Sequence, residues 1–151
     1  MSRYKWDDFQ DRYLNNKEEF FFEYKNYSFW LTTDINDNPC VNLTSGDFSS
    51  SQSIDKLFEV LNIYQQYKDC KEILLIDNND VTIKHTYEEM KSMLLNTCVC
   101  FYLDSFTQIY SYYKDENKHI CISKSYKDYN ELLKEFTLDG KTLNENWNEL
   151  F

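Results

Sequence analysis

Four side chains able to hold a metal fall in two alternating pairs, Cys98 with Cys100 and His119 with Cys121. Residues two apart on a strand share a face, so each pair offers its ligands on one side of a sheet, and thiolate and imidazole are zinc ligands. The spacing defeats the site. If 98–104 and 119–124 are the first and third strands of a meander, they stand about 10 Å apart, at ~4.8 Å per strand step. Zinc bonds of ~2.0–2.3 Å cannot span that gap. Asp34, Asn36 and Asn38 match the first, third and fifth positions of a calcium loop, but Pro39 stands where the sharp turn needs glycine and Ser45 where a bidentate glutamate is required. The only histidines are His85 and His119, and His119 with Cys121 lies on one strand, an arrangement that points both side chains outward without forcing contact. Two glycines leave neither a phosphate-cradling loop nor a nucleophile elbow. No catalytic, metal-ligating or cofactor-binding residue is assigned, and the chain reads as a non-enzyme.

What remains is charge. With 26 acidic against 16 basic residues the formal net charge is −10. A nucleic-acid binder needs a basic stripe to neutralise phosphates, so direct nucleic-acid binding is not expected. The partner expected is a basic protein, a nuclease or a defence effector. The function that fits is a small inhibitor of the immunity or anti-defence type, which blocks a basic surface by placing carboxylates where phosphates would lie. Its expected contact residues are the hairpin-loop acids Asp34, Asp37, Asp115 and Glu116, with Trp30, Tyr110 and Tyr112 as aromatic neighbours. Two other readings stand beside it. One is a structural or homodimeric interaction module that meets its copy through a sheet edge or an aromatic face. The other is a hydrolase that uses cysteine or carboxylates.

Five cysteines, an odd number, follow an opening segment, residues 1–7, that has no apolar signal region. Free thiols in a reducing cytoplasm are the expectation. The longest apolar runs, 73–76 and 98–103, fall far short of the ~20 residues that span a bilayer, so no membrane partner is expected. Lys, Asn, Ile, Tyr and Phe have AT-rich codons, and genome composition accounts for part of the 18% aromatic content. Most of those rings are expected in the core.

The elements that must position these residues follow from periodicity, and they give the α+β class: antiparallel β-meanders with packed helices. Val99, Phe101 and Leu103 alternate with Cys98, Cys100 and Tyr102, which predicts a strand over 98–104; 106–113 and 119–124 follow, with 114–118 as the hairpin loop. Ser125 is placed to cap a helix over 126–136, whose stripe is Tyr129, Leu132, Leu133 and Phe136. The first half repeats this order. An opening helix over 3–14 precedes strands 19–24, 28–33 and 40–44, then a polar loop over 45–53. A helix capped by Ser53 follows, with Ile54, Leu57, Phe58, Leu61 and Tyr64 at helical spacing.

A shift of 80 residues lays 29–43 on 109–123, and a shift of 75 lays Ile54, Leu57, Phe58 and Leu61 on Tyr129, Leu132, Leu133 and Phe136. The chain of 151 residues thus reads as one domain built as a degenerate tandem of two strand-hairpin-helix units, 1–70 and 71–151. Between them, 72–76 and 81–84 pair across the turn 77–80, and Thr86 with Glu89 forms a capping box flanked by the staple pair His85 and Met90. After the second unit, Asp139-Gly140 makes a turn. Thr142 with Glu145 opens a closing helix that carries Leu143, Trp147 and Leu150 on one face, with Trp147 as its anchor.

The end of the chain carries a resemblance. Leu132 and Leu133, followed by Leu138-Asp139-Gly140-Lys141-Thr142-Leu143-Asn144-Glu145-Asn146-Trp147-Asn148-Glu149-Leu150, resemble the ending of small uncharacterised proteins from AT-rich bacteria and their phages. In those proteins an aromatic β-meander precedes a helix and a D-G-K-[ST]-L-x-E-x-W-x-[ED]-[LI] tail. The resemblance covers the last third. It implies a compact α+β unit and carries over no catalytic residue.

Overall fold

A computed structural model describes residues 4–45, 50–76 and 83–151. Helix α1, Trp6–Asn16, buries Phe9 and Tyr13, one turn apart, and stops where Lys17 turns left-handed at φ 55°. Strands β1 Phe20–Tyr24, β2 Tyr27–Thr33 and β3 Pro39–Ser45 follow as an antiparallel meander. Helix α2, Ser51–Val60, turns Ile54, Leu57 and Phe58 inward, and a single turn, α3 Tyr64–Tyr67, follows it. The short strands β4 Ile73–Leu75 and β5 Lys84–His85 pair antiparallel; the turn assigned to 77–80 lies outside the described residues. Helix α4, Tyr87–Asn96, opens on the Thr86/Glu89 capping box, with both reciprocal bonds made. The second meander is β6 Cys100–Asp104, β7 Thr107–Lys114 and β8 Asn117–Ser125, and α5 Tyr129–Glu135 comes next. A two-stranded ribbon, β9 Thr137–Leu138 with β10 Lys141–Thr142, and a 3-10 turn, Trp147–Glu149, complete the described chain.

Several boundaries differ from the sequence reading, each for a local reason. The β7–β8 loop shrinks to Asp115 and Glu116, both at positive φ (52° and 68°), a two-residue turn whose twist matches the strands it joins. Ser125 stays in β8 and donates to Asp34, so Asp128 caps α5 by accepting the Glu131 N–H. Ser50 rather than Ser53 caps α2, accepting the Ser53 N–H. The closing helix is reduced to turns: the Thr142/Glu145 box forms, but the buried Asn146 amide donates to the Leu138 and Lys141 carbonyls and holds the chain in a tight loop.

The eight long-sheet strands run in the order β1-β2-β3-β8-β7-β6-β4-β5, every neighbour antiparallel. The two meanders therefore meet back to back along β3 and β8. A shift of 80 that carries Tyr24↔Tyr27 onto Asp104↔Thr107 also carries β2 onto β7. Farther from that turn the register slips at a β-bulge between Tyr102 and Asp104, and Phe101 comes opposite Ile109. One extra residue in β6 reverses the side-chain parity of the strand, because successive residues point to opposite faces. That reversal is what puts Phe101 and Leu103 in the core, as Phe20, Phe22 and Tyr24 are in β1.

One face of the sheet is covered. Phe9 packs on Phe20 and Phe22 at 4.8 and 5.6 Å, Phe136 on Phe29 at 5.6 Å, and Phe58 of α2 on Tyr87 of α4 at 5.1 Å. Hydrogen-bonded carboxylates pin this layer at three places. Asp55 accepts from the Tyr87 hydroxyl and the buried Lys91 ammonium, Asp104 from Tyr67, and Asp139 from Tyr24 and Lys25. Trp147 lies against Phe9, Trp6 and Phe22 and donates its indole N–H to the Tyr4 carbonyl, the anchoring role its position suggested. At the β1 edge, Glu23 exchanges both backbone hydrogen bonds with Phe151. Among the described residues, no helix is long and apolar enough to cross a membrane.

Candidate functional site: the uncovered sheet face

No described helix packs on the opposite face, and the strand registers dictate what it presents. Directly opposed residues project to the same side. Phe21, Trp30, Asn42, Ser123, Gln108, Tyr102, Leu74 and Lys84 therefore form one row across all eight strands. A second row runs Glu23, Ser28, Thr44, Cys121, Tyr110 and Cys100. The first row is aromatic towards its flanks, where Phe21, Trp30 and Tyr102 are 63%, 44% and 40% exposed, and polar in the middle. Its only Lys or Arg is Lys84, on the far edge strand.

The polar middle is cross-linked over the β3–β8 seam. The Ser123 hydroxyl donates to Asn42 Oδ1, which also accepts the Cys40 thiol at 3.7 Å. Ser125 Oγ donates to Asp34 Oδ2 at 2.7 Å, and Asp34 Oδ1 accepts the Asn36 and Asn38 N–H at 2.8 and 3.0 Å. Although desolvation opposes it, the Ser125 hydroxyl and the Asn38 and Asn36 donors hold the Asp34 carboxyl below its ordinary range. A depression of about 610 Å³ opens over this end of the face, between the 34–38 and 105–106 turns. Asp34, Asn42, Tyr102, Phe106, Gln108 and Tyr110 are among its lining residues, and none of the lining residues is Lys or Arg.

Comparison with family models, with curated proteins and with solved structures finds no match. The site must therefore be read from its own chemistry.

Of the contact residues expected from sequence, Trp30, Tyr110 and Tyr112 all lie on this face. Tyr112 stacks on His119 at 5.3 Å. The acids divide: Asp34 and Asp37 sit on the β2–β3 turn, Asp115 and Glu116 on the β7–β8 turn at the other end of the sheet. The eight residues of β7 separate the two ends by about 25 Å at ~3.4 Å per residue, so the acids bracket the face instead of forming one patch. Phe21, Asn42, Tyr102, Phe106, Gln108 and Ser123 were missed. The available signal was their parity, opposite to the buried positions, but only the registers reveal that Phe21, Asn42, Ser123, Gln108 and Tyr102 share a row, with Phe106 on the turn beside it.

Three of the five thiols belong to the same face. Cys40 and Cys121 are buried in its floor, and desolvation pushes both upward, Cys121 to about 11; Cys100 is raised for the same reason. Such thiols are protonated at neutral pH and make weak nucleophiles. The strand between β6 and β8 is β7, which keeps Cys100 apart from His119 and Cys121, and no group of three metal-capable side chains is assembled among the described residues.

Proposed function

We propose that this chain is a non-enzymatic protein-binding inhibitor that covers a basic surface of another protein, a nuclease or defence effector, with the uncovered face of its sheet. One observation carries the reading: a bare face spanning eight strands, aromatic at its flanks, with Lys84 and Lys114 only at its margins and acidic residues on the turns at both ends, on a chain of net charge −10. Exposed Trp and Tyr supply large rigid contact area at small entropic cost, and Ser, Asn and Gln supply adaptable hydrogen bonds. The bracketing acids speed encounter with a cationic partner by long-range attraction, which salt weakens.

The experiment is capture of partners by the tagged chain from the lysate of its source, at low and at high salt, alongside the variant Asp115→Lys, Glu116→Lys. A basic protein should be retained at low salt and released at high salt, and the variant should associate with it more slowly while keeping its melting temperature. Retention indifferent to salt and to charge reversal would refute the mechanism. Exposure of Phe21, Trp30 and Tyr102 in one row also favours a second reading, a homodimer in which two such faces pack sheet on sheet. Light scattering separates the two, since a stable dimer would bury the face.

A further inference from the structure

We infer that the depression between the 34–38 and 105–106 turns seats one guanidinium group, an arginine side chain presented by the basic partner; this rests on the function proposed above. Asp34 supplies the charge. It makes no ion pair among the described residues, and its two oxygens accept three hydrogen bonds, two at Oδ1 and one at Oδ2. A carboxylate offers about four lone-pair positions, so Oδ2 keeps one acceptor site. Tyr102 and Phe106, 40% and 50% exposed, line the same depression. Gln108 adds an amide whose oxygen, among the described residues, meets only the weak Cys100 thiol donor, at 3.9 Å.

A charge without a counter-ion beside uncovered aromatic rings selects for a flat cation. Guanidinium stacks on aromatic faces and donates in a planar fork, whereas an ammonium is a compact, strongly hydrated point charge. An anionic ligand would meet Asp34 with no cation in the lining to offset it. A neutral polyol would find partners in Gln108 and Asn42 but would leave Asp34 uncompensated. The volume, about 610 Å³, lies within the roughly 300–1,000 Å³ of ordinary ligand sites. Arginine is also among the residues most often found as an interface anchor.

The test is an NMR titration of the whole chain with N-acetylarginine methylamide, against the citrulline analogue, which has nearly the same shape without the charge, and the lysine analogue. The arginine probe should saturate with a Kd on the order of millimolar and should move the signals of Asp34, Tyr102, Phe106 and Gln108. The citrulline probe should bind about tenfold more weakly or worse, because a charge-assisted bond is lost, and the lysine probe should also bind more weakly. Asp34→Asn keeps an oxygen for the Asn36 and Asn38 N–H groups, so the turn survives, and it should cost the arginine probe about tenfold. Tyr102→Ala, which leaves the carboxylate in place, should weaken it as well. Equal binding of arginine and citrulline, or shifts gathered around 115–116, would overturn the inference. If Asp34→Asn captured the salt-sensitive partner as well as the parent chain, the pocket would be refuted and the proposed function would stand. Arginine selectivity in a chain that retains no basic partner would support the pocket and remove the function.

Discussion

Lys91 shows how few of the charges are structural. Only 5% exposed, it reaches Asp55 at 3.0 Å and Glu88 at 3.2 Å, and Asp55 also accepts the Tyr87 hydroxyl. Asp55→Ala leaves the buried ammonium only the exposed Glu88 carboxylate and unpairs the Tyr87 hydroxyl, and should destabilise the fold by about 3 kcal/mol in urea denaturation, whereas Lys91→Met should cost under about 1 kcal/mol. Protonation acts at both ends of the pH scale. Asp139 is held below the ordinary carboxylate range by Lys25 and then Tyr24, and Asp34 by Ser125 and its turn. A carboxyl with a depressed folded pKa contributes stability that is complete above its unfolded value and is lost as the pH falls through the folded one. Tyr67, Tyr87 and Tyr126 are raised from 10.0, chiefly by desolvation, so their contribution is complete below pH 10.0 and is lost above it. Melting temperature should therefore be flat from about pH 5 to about pH 9 and fall on both sides. The tyrosinate absorbance of these three should appear only with unfolding; ionisation of all 13 tyrosines in a chain that stays folded would contradict this burial. At this scale residue type and parity were legible in the sequence, so the shared face of Trp30, Tyr110 and Tyr112 could be read from it. Asn42 and Gln108 were not, because a polar residue on a strand acquires meaning only from its neighbours across the ladder.

The bulge in β6 and the loop around Trp147 are the elements on which the two faces depend. Deleting Leu103 should remove the bulge and leave Phe101 opposite Ile109 in regular register, so that the chain still unfolds cooperatively and loses about 2–5 kcal/mol, the burial of one leucine. Loss of the sharp transition would mean that the bulge itself, beyond the Leu103 side chain, keeps the two faces apart. Trp147→Ala should cost about 3–5 kcal/mol, as loss of a large buried ring does, because that ring touches Trp6, Phe9 and Phe22 at 5.2, 4.8 and 5.6 Å. Strands and helices were legible wherever apolar residues kept a period of two or of about 3.6, and the Thr86/Glu89 box fixed the start of α4 to the residue. Caps were less legible where several hydroxyls compete: Ser125 is drawn away to Asp34, which leaves the capping of α5 to Asp128. The Thr142/Glu145 box formed without a helix behind it, since the Asn146 amide binds carbonyls of the preceding ribbon.

Across the whole molecule, the repeat visible at a shift of 80 residues becomes two meanders joined through β3 and β8. No pattern in the sequence announces that seam, because pairing between distant strands is set by how both halves bury one shared core. The seam is also what assembles the bare face, since the row from Phe21 to Tyr102 crosses it at Asn42 and Ser123. The central claim is that this face meets a basic protein. Hydroxyl-radical footprinting of the chain with its captured partner tests it most directly. Phe21, Trp30, Tyr102 and Phe106 should lose reactivity on binding while residues on the helical side keep theirs; protection of the helical side, with those four rings as reactive as in the free chain, would contradict the account.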